Sequence, residues 1–253
     1  MKHIEAILSP SEFEVLRQRD LKKTACVVFD VLRATSTLLA AFASGADSVE
    51  PVAGIPEALG RRAEDPEVLL AGERQGLRID GSQTGGVEFD LGNSPREFTR
   101  ARVEGRRIVM TTTNGTRALH ACSGAATVLA ASFGNLSATA RWLSLNHPEQ
   151  LLLVCAGTQD HASLEDALAA GALADEIWTL VSSAWIDDGI RIARDLYRAR
   201  RADLLRAVAE GRNGHRLLSQ PQLAGDVPDC LDRDRFPFIA RLDSRGRLRA
   251  EVV

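Results

Sequence analysis

Three stretches of the chain share one pattern: a short apolar run, a polar loop rich in Thr, Gly, Asn or Asp, then an Ala/Leu-rich segment. They are CVVFDVLRATSTLLAAFASGADSVEPV from Cys26, RIVMTTTNGTRALHACSGAATVLAAS from Arg107, and LLLVCAGTQDHASLEDALAAGALADEI from Leu151. The apolar runs are continuous and partly β-branched, which suits strands buried on both faces of a mostly parallel sheet. The segments after the loops place Leu and Ala at three- and four-residue spacings, so one helical face can pack on that sheet. Each stretch reads as strand, loop, helix. The repetition predicts a doubly wound α/β fold with two similar, intertwined halves. In such sheets ligands gather beyond the carboxyl ends of the strands, where all three polar loops would lie.

Between the first two units, VLLAGERQGLRIDGSQTGGVEFDLGNSPREFTRA offers another strand-like start and then a long Gly-rich loop, a length that is often functional. After Glu176 the chain is mostly helical. ARDLYRARRADLLRAVAEG predicts one amphipathic helix ended by Gly211, with its charges on a solvated face. Beyond Gln220 the pattern turns irregular, and apolar residues then alternate around Asp243 to Gly246 as in a terminal hairpin. No low-complexity linker interrupts the chain, so residues 1–253 read as one compact domain.

Composition narrows the function. With 45% hydrophobic and 26% charged residues the chain is ordinary globular protein, large enough to enclose a cleft. A net charge of -3 argues against a nucleic-acid partner, which needs a dominant basic surface, so any phosphate bound here belongs to a small molecule. No stretch approaches the roughly 20 apolar residues that span a bilayer, and Met1 to Pro10 carries no export signal; a cytoplasmic enzyme is expected. Cys26 and Cys155 fall in strand-like runs as small hydrophobes, and Cys122 and Cys230 form no Cys-x-x-Cys pair, which predicts neither zinc nor disulfides. The chain also lacks a Gly-x-Ser-x-Gly elbow, a Gly-x-Gly-x-x-Gly turn after the first strand and a Walker A ending.

The densest chemical signal is FDVLRATSTLL, where a strand ends at Asp30, Arg33 follows, and Thr35, Ser36 and Thr37 open a helix. Amides, hydroxyls and an Arg at a helix start make a phosphate seat, and Asp30 could hold a metal. The plainer alternative is an N-cap, with Asp30 pairing Arg33. TTTNGTRALH repeats the idea: Asn114-Gly115 permits a tight turn and Thr116 begins a helix, either as a second anion seat or as a conventional turn. The loop AGERQG to FDLGNSP supplies Glu73, Asp90 and Asn93, hard oxygen ligands of the kind Mg²⁺ takes; the plainer alternative makes Asp90 and Asn93 turn-formers before Pro95 and Glu73 a member of a surface pair. In CAGTQDHASLEDALAAG, Glu165 and Asp166 read as helix-dipole partners and His161 as an exposed loop residue.

In this order DVLRATST, GER-G, FDLGNSP, TTTNGTRAL, CAGT and LEDALAAG, spanning Cys26 to Ala172 with an echo in DVPDCLDRDRFPFI, resemble the 2-phosphosulfolactate phosphatase family. The resemblance implies a three-layer α/β/α fold and a magnesium-dependent acid phosphatase of coenzyme M biosynthesis, which converts phosphosulfolactate to sulfolactate and phosphate. It carries over Asp30 and Arg33 as catalytic residues, and Asp30, Glu73 and Asp90 as the Mg²⁺ ligands. Thr35, Ser36, Asn93, Asn114, Gly115 and Thr116 become the phosphate-binding set. The partner is then a small anionic phosphoester, and a homodimer is compatible with the family. The rival is a non-catalytic sensor of a phosphorylated or sulfonated metabolite; converging acids favour the enzyme, because a sensor of anions gains little from them. One departure is the stretch GERQGLRIDGSQTGGVEFDLGNSP, longer than the family pattern and able to reshape the pocket mouth.

Overall fold

Continuous apolar runs do become strands covered on both sides. A computed structural model describes residues 1–253 and contains one eleven-stranded sheet. Its strands are β1 (His3–Ile7), β2 (Thr24–Phe29), β3 (Ser48–Pro51), β4 (Leu69–Arg74), β5 (Leu77–Arg78), β6 (Arg107–Thr111), β7 (Thr127–Ala131), β8 (Gln150–Cys155), β9 (Trp185–Ile186), β10 (Phe238–Leu242) and β11 (Leu248–Val252). Along β2, Ala25, Val27 and Phe29 enter one apolar core while Cys26 and Val28 enter a second. Leu151 and Leu153 of β8 likewise face away from Leu152 and Val154. Period-two alternation between two cores makes the architecture three-layered, helices over each face of the sheet.

The strand order is β5-β4-β6-β3-β11-β10-β7-β2-β8-β1-β9. β4, β6 and β3 form one parallel block, and β7, β2, β8, β1 and β9 form another. The expected terminal hairpin is present as β10 and β11, and it has a structural task. β10 pairs antiparallel with β7 and β11 antiparallel with β3, so the hairpin alone bridges the two blocks.

One helix expected from the sequence is two. The segment ARDLYRARRADLLRAVAEG lies within helices Asp188–Arg200 and Leu204–Ala209, broken where Asp203 turns out of the helix and its carboxylate accepts the Arg206 amide at 3.0 Å. An Asp inside a charged helical pattern is as good a cap as a spacer, and here the cap prevails. Gly211 is then the residue that starts the helix Arg212–Leu218 rather than the end of the preceding one. The four cysteines are all buried, and no helix is long and apolar enough to cross a membrane.

Helices Leu164–Glu176 and Asp188–Arg200 touch backbone to backbone at Gly171, where a Cβ would collide with the carbonyl oxygen of Ala193. Gly171→Ala should therefore force the helices apart and destabilise the fold by about 1–3 kcal/mol, the usual cost of overpacking. Thermal unfolding followed by circular dichroism checks this, and an unchanged Tm would contradict the close contact.

Candidate active site

Four loops at the carboxyl ends of β2, β4, β6 and β8 and the start of helix Arg212–Leu218 enclose a cavity of about 500 Å³. Its lining includes Asp30, Arg33, Glu73, Asn93 and Asn114 of the residues expected from sequence, and its one hydrophobic side chain is Leu32. Nearly all the rest is polar or charged, with four arginines: Arg33, Arg74, Arg212 and Arg216.

Asp30 is the first residue beyond β2 and is buried. Its Oδ1 accepts the Ala34 amide at 3.1 Å, which fixes the carboxylate against the helix Ala34–Ala43. Burial, reinforced by the negative charges of Glu73 and Glu165, pushes its pKa up to about 7, against the opposing pull of the Ala34 amide. Glycine at position 115 is a steric requirement of this arrangement: a Cβ there would stand 2.6 Å from Ala34 Cβ and 2.7 Å from Asp30 Oδ2. Gly115 thus lets the β6 loop close onto the β2 loop. Asn114 completes that seam on the other side, its Oδ1 accepting the Gln159 amide at 3.2 Å from the β8 loop.

Glu73 also lines the cavity, held by three donors. Oε1 accepts the Thr113 amide and hydroxyl, each at 2.9 Å, and Oε2 accepts the Gly76 amide at 2.7 Å. Asn93 is buried with Oδ1 lacking any partner. Asp90 is elsewhere. Its carboxylate pairs with Arg62 and accepts the Leu70 amide at 2.7 Å, and it does not line the cavity. The expected trio of Asp30, Glu73 and Asp90 is therefore not assembled, and no three acidic, His or Cys side chains converge as a metal cluster.

Three of the hydroxyls expected to bind phosphate are turned inward instead. Thr35 Oγ1 donates to the Asp30 carbonyl at 2.9 Å, Ser36 Oγ to the Val31 carbonyl at 2.9 Å, and Thr116 Oγ1 to the Thr112 carbonyl at 3.0 Å. A hydroxyl in the first turn of a helix satisfies local backbone before it reaches a ligand. The amides of Leu32 and Arg33, by contrast, have no acceptor within the chain and sit at the cavity wall.

Arg33 does not pair with Asp30. Its guanidinium donates to Asp226 Oδ2 and to the Gly76 carbonyl, both at 2.6 Å, and Ser94 Oγ donates to Asp226 Oδ1 at 2.6 Å. Both partners are sealed from solvent, at 3% and 0% side-chain exposure. The charge on Arg33 is thus largely neutralised. Arg74, Arg212 and Arg216 form no ion pair, although most arginines of the chain do. Arg74 is anchored by the Glu73 carbonyl at 2.7 Å and Thr111 Oγ1 at 3.1 Å, and its desolvation depresses its pKa against the charge of Glu73.

Glu165 and Asp166 are more than dipole partners. Asp166 accepts the Val31 amide at 2.8 Å and the Gly157 amide at 3.0 Å, joining the β2 and β8 loops, and burial beside Glu165 and Asp30 raises its pKa strongly. Glu165 accepts Asn213 Nδ2 at 2.7 Å and is also pushed up by burial. The helix that carries them, LEDALAAGALADE, is apolar nearly all round, which was the available sign that its acids are buried too. For Arg212, Asn213 and Arg216 no local pattern distinguished ligand-facing from solvated charge. His161 is exposed and meets Thr158 only through backbone hydrogen bonds.

Paired buried carboxylates and unneutralised arginines, gathered beyond the carboxyl ends of a mostly parallel sheet, define an α/β enzyme that works on a small anionic molecule. The family model for 2-phosphosulpholactate phosphatase matches residues 12–245. A probable 2-phosphosulfolactate phosphatase of Caldanaerobacter subterraneus subsp. tengcongensis is 35% identical over 232 residues, 91% of this chain and 92% of that one. Those of Symbiobacterium thermophilum and Pseudothermotoga lettingae are 41% and 38% identical, over 81% and 85% of this chain and 86% and 87% of theirs. The chain belongs to the 2-phosphosulpholactate phosphatase family and is a phosphoric monoester hydrolase.

Two consequences for stability follow. Because the Asp30 pKa is raised on folding, the folded state holds a proton that the unfolded chain releases between about pH 4 and 7, so this residue's contribution to stability is lost as pH rises through that window. In metal-free protein, Asp30→Asn should match wild type near pH 4 and exceed it at pH 8 by ~2–4 kcal/mol, as urea unfolding at the two pH values would measure. Asp226→Ala should cost about 3–5 kcal/mol by leaving the Arg33 charge buried and unpaired; a urea midpoint equal to wild type would show the pair to be dispensable.

Proposed function

We propose that the chain hydrolyses 2-phosphosulfolactate to 3-sulfolactate and phosphate, with magnesium as cofactor. The observation that carries this is the composition of one cavity: buried carboxylates Asp30 and Glu73 on its floor, and Arg74, Arg212 and Arg216 around them without acidic partners. A substrate with several negative charges supplies the missing counter-charge, and the names of the relatives point the same way.

The donor set fits magnesium, which takes one or two carboxylates plus substrate oxygens and water. Glu73 would supply a carboxylate beside Asp30, and the buried, unpartnered Asn93 Oδ1 a neutral oxygen. When bound, the ion would polarise the phosphate oxygens as a Lewis acid. The remaining chemistry belongs to the chain. With Oδ1 tied to the Ala34 amide, Asp30 keeps Oδ2 for reaction as the general base. It takes a proton from the attacking water as the new O–P bond forms. The ester P–O bond then breaks, and the leaving oxygen departs as a hydroxyl with that proton. The free amides of Leu32 and Arg33 receive phosphate oxygens where negative charge grows.

Purified protein should release phosphate from 2-phosphosulfolactate in the presence of Mg²⁺ and lose that activity with a chelator. Asp30→Asn should lower kcat by about 10²–10⁴-fold, the range for loss of a general base. No release from 2-phosphosulfolactate, phosphoglycolate or phospholactate in Mg²⁺ would overturn the assignment, and full activity in Asp30→Asn would remove that residue from the reaction.

A further inference from the structure

The cavity has a floor and a mouth with different chemistry. Asp30 and Glu73 are 7% and 8% exposed, whereas Arg216 is half-buried and Arg212 is exposed. These two arginines stand four residues apart on helix Arg212–Leu218 and so project from one side of it. Each is anchored by a single carbonyl at 3.3 Å, Arg212 by Ala162 of the β8 loop and Arg216 by Gln75 of the β4–β5 turn. Most of each guanidinium fork is left without a partner. Resting on the proposed function, we propose that Arg212 and Arg216 are specificity-determining residues that hold the sulfonate of the substrate at the cavity mouth while its phosphate sits on the floor beside Asp30.

Several observations converge on this arrangement. A carboxylate is planar and is satisfied by one bidentate fork. A sulfonate is tetrahedral, with three oxygens, and stays ionised at any ordinary pH, so it is best met by permanent cations approaching from different directions. Arg212 and Arg216 do so, because their anchors lie on two separate loops. Their helix is held in place by Asn213, whose Nδ2 donates to Thr158 Oγ1 at 2.6 Å and to Glu165 Oε1 at 2.7 Å. The β4–β5 turn is shaped to admit the guanidinium. Gly76 adopts φ +86°, and a Cβ there would stand 2.5 Å from Arg216 Nη1. The turn that donates its Gly76 carbonyl to Arg33 therefore also leaves the space in which Arg216 lies.

The test compares two esters that differ in one group, 2-phosphosulfolactate and 2-phospholactate, where a hydrogen replaces the sulfonate. With the full-length protein in Mg²⁺, the wild type should prefer the sulfonated ester in kcat/KM by tenfold or more. Arg216→Ala and Arg212→Ala should each reduce that preference about tenfold, mainly through KM, in keeping with the loss of one charged hydrogen-bonding partner. Arg216→Lys should recover part of it, and since Arg212 is exposed and Arg216 half-buried with a single hydrogen bond, folded, cooperative melting should persist. Competitive inhibition by 3-sulfolactate should weaken in the alanine variants more than inhibition by inorganic phosphate. Equal losses on both esters would overturn the proposal by assigning the arginines to a group the esters share, as would a wild type without preference. Failure to hydrolyse either ester would instead overturn the phosphatase function itself.

Discussion

The site depends on one buried ion pair. Arg33, from the loop after β2, meets Asp226, from a helix close to the end of the chain, and each uses its second arm on a different loop: Arg33 on the Gly76 carbonyl, Asp226 on the Ser94 hydroxyl. Four segments distant in sequence are therefore set by two side chains. Removing two charges from water is costly, and such a pair is a poor source of net stability compared with apolar packing. Its value is geometric. The Gly76 amide in turn holds Glu73, so the placement of one carboxylate of the floor follows from a salt bridge on the other side of the turn.

The charge pattern around that rivet separates two tasks. Arg33 is held in a buried ion pair, although it is the arginine closest in sequence to Asp30, while Arg74, Arg212 and Arg216 line the cavity without acidic partners. Burial opposes ionisation of Asp30, Glu165 and Asp166, which stand close enough to disfavour one another. Such a buried cluster is under electrostatic tension that protonation relieves, and the partnerless Asn93 oxygen adds a further acceptor to the cavity wall beside it. Function here takes up strain that a purely structural core would have removed.

Much of the fold was legible because two-sided burial leaves continuous apolar runs, as in VVF after Cys26 and LLLV from Leu151, and because helices that follow polar loops repeat the same order. The site was legible in part. Asp30, Arg33, Glu73, Asn93, Asn114 and Gly115 converge as their loops suggested, since loops after parallel strands share one edge of the sheet. Asp90, Thr35, Ser36 and Thr116 point elsewhere, because carboxylates and hydroxyls near helix starts and arginines find local partners that sequence alone cannot rank. Arg212 and Arg216 were hidden for a different reason: a charge that lines a cavity has the same sequence neighbours as one that faces open water. Asp203 shows the limit of periodicity, where a single capping side chain breaks a helix whose pattern continues through it.

The hairpin of β10 and β11 has a temporal meaning. Because it alone joins the two parallel blocks, a chain in which β10 and β11 have not yet docked holds two sheets with an unpaired edge on each. Most of a domain can collapse as it emerges during synthesis, but here the seam closes only once the hairpin has joined both blocks. Until then β3 and β7 are open templates for other strands, so docking of the hairpin divides an aggregation-prone intermediate from the finished sheet.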